Sequence, residues 1–183
     1  MATEIKTIAV IGAGDDGREF ACAALRAGYR TVLEDVSDSR LEQAIAWIAN
    51  VDAHVSSRLV LARTVEAAVR EADLIIEAVT EETEMKIEMF TIFDKFAKPE
   101  AVFASCSRSV PIAELASVTF CPERCIGMRL GSVAGHADAL ELVRTPQTSE
   151  QTIARCREVC RRMGKEVALV AESVVLPEIS QGA

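Results

Sequence analysis

The chain has 183 residues, half of them apolar, and a formal net charge of −8 at pH 7. This length suits one well-buried domain, and the acidic balance argues against nucleic acid as a partner, because such binding needs a clustered basic patch. No apolar run reaches the roughly 18 residues that a membrane span requires, and the N-terminus lacks a basic segment followed by an apolar one. We therefore expect a cytoplasmic protein that contacts no membrane.

Short apolar runs alternate with helix-like segments along the chain. The β-branched run 6–11 predicts a strand buried on both faces, and apolar residues at helical spacing predict a helix over 16–27 that ends at Gly28. A second strand is predicted over 30–35, and Ser37 or Ser39 is placed to cap the helix that follows. The remaining predicted strands are 58–62, 73–79, 101–104, 125–128, 140–143 and 166–170, and the remaining predicted helices are 65–71, 87–96, 112–116 and 149–163.

This alternation of strands and helices is typical of α/β proteins. We predict a Rossmann-like, doubly wound and mainly parallel sheet, with helices on both faces and a ligand crevice at the C-terminal ends of its strands. The predicted domain spans residues 1–172. Residues 173–183 change character and are predicted to form a C-terminal tail.

Six cysteines suit a cytoplasmic protein only as thiols or as metal ligands. Cys121 and Cys125 form one pair with a spacing of four, and Cys156 and Cys160 form a second pair that would share one helical face. Structural zinc sites usually place such pairs beside short loops. Small buried thiols are therefore the favoured interpretation, and we predict no metal site, with metal ligation as the alternative.

A glycine-rich segment joins the first predicted strand to the first predicted helix. It reads Gly12-Ala13-Gly14-Asp15-Asp16-Gly17, a spacing that binds dinucleotides in this strand–turn–helix context. In that arrangement Gly12 makes the tight turn, Gly14 lets the backbone approach the pyrophosphate, and Gly17 allows close helix packing. Asp35, 21 positions beyond Gly14, is placed to accept the ribose hydroxyls, which predicts NAD rather than NADP. The alternative is a glycine turn that binds no dinucleotide.

Two carboxylates stand where a pyrophosphate would lie. Asp15 and Asp16 are favourable at a helix N-terminus because of the helix dipole. They would nevertheless repel a pyrophosphate that binds the same backbone amides. We expect both residues to line the cofactor loop and to lower its affinity for NAD.

Five segments, found in order and with matching spacings, resemble the nucleotide-binding half of the L-3-hydroxyacyl-CoA dehydrogenases over about residues 5–172. The resemblance implies an NAD-dependent oxidoreductase of fatty acid metabolism that moves a hydride between the C3 atom of its substrate and nicotinamide. It further implies a catalytic pair, in which a His acts as acid and base and a Glu orients it, and a C-terminal helical domain that completes the substrate pocket and forms the dimer. The segments are IAVIGAGDDG, ADLIIEAVTEETEMKIEMF, PERCIGMRLGS, LELVRTPQTSEQT and RRMGKEVALV.

Several positions match the roles that the resemblance implies. The three glycines and Asp35 match the cofactor loop and the ribose acid. Glu81 and Lys86 match two further positions that contact the cofactor. Glu141 matches the Glu of the catalytic pair.

Other positions depart from the family pattern. Where the family has its catalytic His, this chain has Arg129, which stays protonated and cannot accept the alcohol proton. Ser132 replaces an Asn that contacts the cofactor, and Arg108 replaces a small hydroxyl residue that faces nicotinamide and substrate. His54 and His136 do not match the family's base, although the loop that carries His136 is placed to approach the crevice.

The chain also differs from the family in two longer segments. About two dozen residues separate Asp35 from the strand predicted at 58–62, so the helical arm that helps to grip CoA is expected to be trimmed. The family's linker into the helical domain is altered after Glu172, and we expect no C-terminal helical domain. Apolar surface would then need another cover, and we predict self-association through a different surface that involves residues 174–176.

Three functions are consistent with these residues. The first is an NAD(H)-binding domain with impaired or lost dehydrogenase activity. The second is an active oxidoreductase on a 3-hydroxyacyl or other small hydroxy or keto acid, in which Arg108 and Arg129 bind a carboxylate or polarise a carbonyl and water or His136 supplies a proton. A second subunit or a separate helical partner would then close the open crevice. The third is an interaction module without nucleotide, in which Glu141 pairs with one of these arginines.

Overall fold

One sheet of eight strands organises the part of the chain that the computed structural model describes, residues 4–131 and 139–172. The sheet order is β3-β2-β1-β4-β5-β6-β7-β8, and every neighbouring pair is parallel except β6 and β7. The strands are β1 (Thr7–Ile11), β2 (Arg30–Glu34), β3 (Leu59–Leu61), β4 (Leu74–Glu77), β5 (Val102–Ser105), β6 (Cys125–Leu130), β7 (Ala139–Arg144) and β8 (Glu166–Ala171).

Helices cover both faces of this sheet and form two separate apolar cores. Helices α1, α2, α3 and α7 pack on one face, and α4, α5 and α6 pack on the other. The helices are α1 (Asp15–Arg26), α2 (Asp38–Val51), α3 (Ala53–Ser56), α4 (Val65–Val69), α5 (Thr83–Phe96), α6 (Ile112–Ala116) and α7 (Glu150–Arg162), and a 3-10 turn spans Pro122–Arg124. The predicted Rossmann-like, doubly wound fold is confirmed.

The order of the strands reverses between β1 and β4, which lie side by side although β2 and β3 separate them in the chain. The connections from β1 and β4 therefore leave the sheet toward opposite faces. A crevice opens at the C-terminal ends of strands at such a switch point. The glycine-rich segment follows β1 directly and therefore lies at this crevice.

Local signals set most of the element boundaries. Helix α1 ends before Gly28, whose φ of 87° is a left-handed conformation that favours glycine. Ser37 caps α2, because its side-chain oxygen accepts a hydrogen bond from the Arg40 N–H at 3.3 Å. The predicted strand 73–79 is shorter than expected because the Val79 N–H donates to the Glu77 carboxylate (2.8 Å) instead of continuing the ladder.

The sequence patterns missed two short elements, α3 and the 3-10 turn, both of which are single turns too brief to show a period. None of the helices in the described ranges is long and apolar enough to cross a membrane. The predicted tail, 173–183, lies outside the described residues.

All six cysteines are buried, and none of them forms a disulfide. Cys156 and Cys160 lie on the buried face of α7, within the core. Burial raises the pKa of the Cys160 thiol to about 12 and also raises that of Cys156. The described residues contain no cluster of three or more potential metal ligands.

Candidate functional site

The glycine-rich loop crosses the end of β1 and begins α1. Gly12 has a φ of 103°, and a Cβ at this position would lie 2.4 Å from the Ala78 carbonyl oxygen. A Cβ at Gly17 would lie 1.8 Å from the Gly12 carbonyl oxygen. At Gly14, by contrast, a Cβ would meet nothing within 4 Å. Gly12 and Gly17 are therefore required by the packing of the loop, whereas Gly14 borders open space in which a ligand can approach the backbone.

The N-terminus of α1 has no side-chain cap, so its first amides are not bound by a capping side chain. The Asp15 carboxylate accepts from Arg18, with 2.8 Å between Oδ1 and Nη2, and its side chain is 83% exposed. The Arg18 guanidinium in turn lies 5.0 Å from the centre of the Trp47 ring. The charge of Asp15 is thus offset on the helix surface, while Asp16 forms no ion pair with any described residue and lines the cleft in front of the loop.

Asp35, directly after β2, is held in place by the backbone. Its Oδ2 atom accepts from the Ala13 N–H (2.9 Å), and its Oδ1 atom accepts from the Ser37 N–H (2.8 Å). The Arg40 Nε atom lies 3.2 Å from the same Oδ1, and the Asp35 side chain is only 6% exposed. These contacts fix the carboxylate beside the glycine loop, where the sequence places the ribose acid.

A cleft of about 670 Å³ runs from the glycine loop across the ends of β1, β2 and β4 toward α4 and α5. Apolar and charged side chains both line it. Val65, Val79, Met85 and Met89 are among the apolar residues that line it, and Asp15, Asp16, Glu34, Asp35, Arg40 and Glu88 are the charged ones. The cleft therefore combines apolar surface with the glycine loop and a predominantly acidic set of charged groups.

Glu34 is a cleft residue that the sequence analysis missed. It is the last residue of β2 and is 3% exposed. Burial, followed by repulsion from Asp35 and Glu66, raises the pKa of Glu34 from 4.5 to about 7. The signal in the sequence was an acid ending a strand that is otherwise buried, which the adjacent ribose acid obscured.

A buried ion pair lies at the end of β4, beneath the crevice. The Lys86 Nζ atom lies 2.8 Å from the Glu77 Oε1 atom, and the two side chains are 1% and 0% exposed. Lys86 also donates to the Val79 carbonyl oxygen (3.2 Å), and Ser105 Oγ donates to Glu77 Oε2 (2.6 Å). The Lys86 position that was predicted to contact a cofactor is thus enclosed in the protein and links α5 to the ends of β4 and β5.

Glu81 accepts hydrogen bonds from three residues of the loop that follows β5. Its carboxylate accepts from Ser107 Oγ (2.7 Å), from Ser109 Oγ (2.8 Å) and from the Arg108 N–H (3.0 Å). Burial alone would raise the pKa of Glu81, but these hydrogen bonds outweigh it and lower the pKa. Glu81 is therefore an ionised anchor that fixes the loop beside the crevice.

Arg129 and Glu141 form the ion pair at the position of the implied catalytic pair. They are direct neighbours in the antiparallel register of β6 and β7, and Arg129 Nη1 lies 3.2 Å from Glu141 Oε2. Arg129 Nε donates to the Ser107 carbonyl oxygen at 2.6 Å. Both side chains are partly buried, at 18% and 25% exposed. The geometry thus selects Arg129 as the partner of Glu141.

Arg108 joins the loop after β5 to the end of β6, because its Nη2 atom donates to the Leu130 carbonyl oxygen. Together with Arg129 and Glu141 it lines a second cleft of about 440 Å³. Glu172 also lines this cleft, and its carboxylate accepts hydrogen bonds from the N–H groups of Ile112 and Ala113. The three predicted catalytic residues therefore share one cleft.

Of the remaining positions, the structure describes only His54, and it does not bring that residue into the site. His54 is exposed on α3 and lines neither cleft. Ser132 and His136 lie outside the described residues.

The fold and the glycine loop define a dinucleotide-binding Rossmann domain. The NAD-binding domain of 3-hydroxyacyl-CoA dehydrogenases matches residues 7–173. The chain belongs to this family and is an NAD-binding domain of the 3-hydroxyacyl-CoA dehydrogenase type.

Individual relatives agree with this assignment. The chain is 34% identical over 201 residues to a 3-hydroxybutyryl-CoA dehydrogenase of Bradyrhizobium diazoefficiens, covering 99% of this chain and 69% of that protein. It also resembles the crystal structure of 3-hydroxybutyryl-CoA dehydrogenase from Escherichia coli, with a TM-score of 0.86 and 25% identity.

A third relative is the (S)-3-hydroxybutyryl-CoA dehydrogenase of Ralstonia eutropha, with a TM-score of 0.84 and 27% identity. Each of these two structural matches covers 93% of this chain, but only 39% of the Escherichia coli chain and 65% of the Ralstonia chain. The comparison therefore concerns the nucleotide-binding part of the relatives.

Proposed function

We propose that this protein binds NAD(H) with reduced affinity and that the acid–base step of the standard dehydrogenase reaction is impaired. The observation that carries the second part is the ion pair between Arg129 and Glu141, where the resemblance implies a His–Glu pair. A guanidinium remains protonated throughout the useful pH range, so it cannot take a proton from a substrate alcohol.

The residues of the first cleft fit an NAD molecule. The open backbone at Gly14 and the uncapped amides of α1 would hold the pyrophosphate. Asp35, already fixed by backbone N–H groups, would hold the ribose hydroxyls, and the apolar residues of the cleft would contact the adenine. When bound, NAD accepts or supplies a hydride.

Reduced affinity follows from the charges of the same cleft. Asp16 lines it without an ion-pair partner among the described residues, and Glu34 and Asp35 line it as well. A pyrophosphate brings further negative charge to these carboxylates. Arg40 lines the cleft but is bound to Asp35, and Arg18 pairs with Asp15, so little positive charge is directed at the phosphate position.

The second candidate is an active oxidoreductase with a different substrate, and the arginine-lined cleft favours it. Arg108 and Arg129 both line a cleft of about 440 Å³, where they would bind a carboxylate or polarise a carbonyl. Arg129 would then position the substrate instead of exchanging its proton, and the proton would come from water. Because the sequence relatives include 3-hydroxybutyryl-CoA dehydrogenases, acetoacetyl-CoA is the first substrate to test.

Calorimetric titration with NADH tests the binding part of the proposal. We expect saturable binding that is weaker than that of the Bradyrhizobium diazoefficiens enzyme measured alongside. Absence of binding at millimolar NADH would refute both dehydrogenase-like functions and favour an interaction module without nucleotide.

Turnover of acetoacetyl-CoA with NADH tests the catalytic part. We expect wild-type turnover to be lower than that of the Bradyrhizobium enzyme by about 10²–10⁴-fold, the usual contribution of general acid–base catalysis. In Arg129→His, any regained turnover should depend on pH around the pKa of a histidine, and Arg129→Gln serves as the control without a base. Wild-type turnover equal to that of the relative would refute the claim that Arg129 impairs the reaction.

A further inference from the structure

Glu34 is a buried carboxyl group that neither the fold nor the proposed reaction explains. Its residue is 3% exposed at the floor of the first cleft. Its side chain makes no hydrogen bond and no ion pair to any residue in the described ranges. The Glu34 oxygens are not among the fully enclosed side-chain atoms that lack a partner, so the carboxyl group faces the open space of the cleft that it lines. A ligand that fills the cleft would remove this group from water, which is costly unless the ligand supplies a hydrogen bond.

The elements packed around Glu34 supply no cation to pair with it. The next residue, Asp35, and Glu66 of α4 are acids that act on it by repulsion. Glu88 of α5 lines the same cleft, and the cation of α2, Arg40, is bound to Asp35.

The neighbouring strands add no charge at this level of the sheet. Ile11 of β1 is the register partner of Glu34, and β3 ends one step earlier with Leu61 opposite Leu33. Burial and the surrounding acids therefore favour the neutral form of Glu34.

We propose that Glu34 forms part of the adenosine-binding surface and that the dinucleotide binds to the protein form in which Glu34 carries a proton. The neutral carboxyl group offers an O–H donor, and the ring nitrogens of adenine and the ribose oxygens are acceptors. The ionised group offers only acceptors and stands beside the added negative charge of the pyrophosphate. This inference rests on the NAD(H) binding of the proposed function and names the residue that makes this binding depend on protons.

A measurable consequence is proton uptake on binding. Burial and the neighbouring acids place the pKa of Glu34 in the ligand-free protein at about 7. Much of the protein therefore carries an ionised Glu34 at pH 8. The affinity should then fall by up to about tenfold for each pH unit above about 7, since one proton is bound with each ligand. ADP-ribose should show the same dependence as NADH, because the effect belongs to the adenosine half.

Calorimetry at pH 8 in buffers of different ionisation enthalpy counts the protons. The probes are ADP-ribose and NADH, and the proteins are the wild type, Glu34→Gln and Glu42→Gln. Glu34→Gln keeps the size and the hydrogen-bonding capacity but cannot ionise. Glu42 is an exposed acid of α2 outside the cleft, so Glu42→Gln removes the same formal charge as a matched control.

We expect uptake of a large fraction of one proton by the wild type and by Glu42→Gln, and none by Glu34→Gln. The Glu34→Gln affinity should change by less than about twofold between pH 6 and pH 9, because no linked group remains. Binding by all three proteins with equal proton uptake would overturn the inference and leave NAD binding intact. Absence of binding by all three at every pH would overturn both proposals. If Glu34→Gln is unfolded, as a thermal melt would show, zero uptake by the wild type still overturns the inference.

Discussion

Replacing Lys86 with Met tests the energetic role of the buried pair beneath the crevice. The substitution removes the cation that lies 2.8 Å from Glu77 and leaves that carboxylate 0% exposed. Breaking a buried pair in this way costs about 3–5 kcal/mol. Glu77 keeps its hydrogen bonds from Ser105 and from the Val79 N–H, so we expect a loss near the lower limit, about 3 kcal/mol.

Urea unfolding measures this loss. The single tryptophan, Trp47, and circular dichroism follow the transition. Lys98→Met is a matched control, because Lys98 makes a pair of similar length with Asp73 (2.9 Å) but is 37% exposed, and such pairs contribute at most about 1 kcal/mol. Equal losses in Lys86→Met and Lys98→Met would refute the argument from burial.

A double variant separates the pair from its surroundings. Glu77→Gln combined with Lys86→Met leaves no buried charge, and the two losses should therefore not add. We expect a coupling energy of about 2 kcal/mol in this cycle. Additive losses would show that the two side chains stabilise the fold independently.

Two further predictions concern the first cleft. Gly14→Ala should leave the stability nearly unchanged and weaken NADH binding, whereas Gly12→Ala should destabilise the fold because its Cβ would lie 2.4 Å from a carbonyl oxygen. Melting curves measure the stability of the two variants, and calorimetry measures their NADH binding. Equal melting temperatures for the two variants would contradict the packing argument. For Glu34, the raised pKa means that the wild type loses stability relative to Glu34→Gln as the pH rises from 4.5 to about 7. Between pH 4.5 and pH 8, the difference in the free energy of unfolding between the two proteins, measured with urea, should change by at most about 3 kcal/mol. A difference that does not depend on pH would disprove the assigned environment of Glu34.

The fold class could be predicted because short runs of neighbouring residues indicate each strand and helix. Apolar β-branched runs marked the strands, helical spacing marked the helices, and Gly28 marked the end of α1. The glycine loop could be located for the same reason, since its residues are contiguous and the adjoining strand and helix are both readable. The length of β4 could not, because its end depends on a hydrogen bond from the Val79 N–H to its own strand's Glu77 side chain.

In the candidate site, the sequence indicated which residues are present but not which partners their side chains have. The sequence identified Glu141 and its two possible arginine partners, and it marked Asp35 as an acid beside the glycine loop. It did not show that Glu34, one position earlier, lies buried without a hydrogen-bond partner among the described residues. Both acids look alike in the chain, but Asp35 meets backbone N–H groups and Arg40 whereas Glu34 meets apolar walls and further acids.

By itself, therefore, the sequence determined a doubly wound nucleotide-binding domain, and it placed Arg129 where the resemblance implies a catalytic histidine. Only the tertiary structure decided that Arg129, and not Arg108, pairs with Glu141, because the antiparallel register of β6 and β7 sets those two residues opposite each other. It also decided that Lys86 is enclosed and that Asp15 is paired with Arg18. Secondary structure depends on patterns within a few residues, whereas the charge state and contacts of a side chain depend on neighbours that the fold brings from distant parts of the chain.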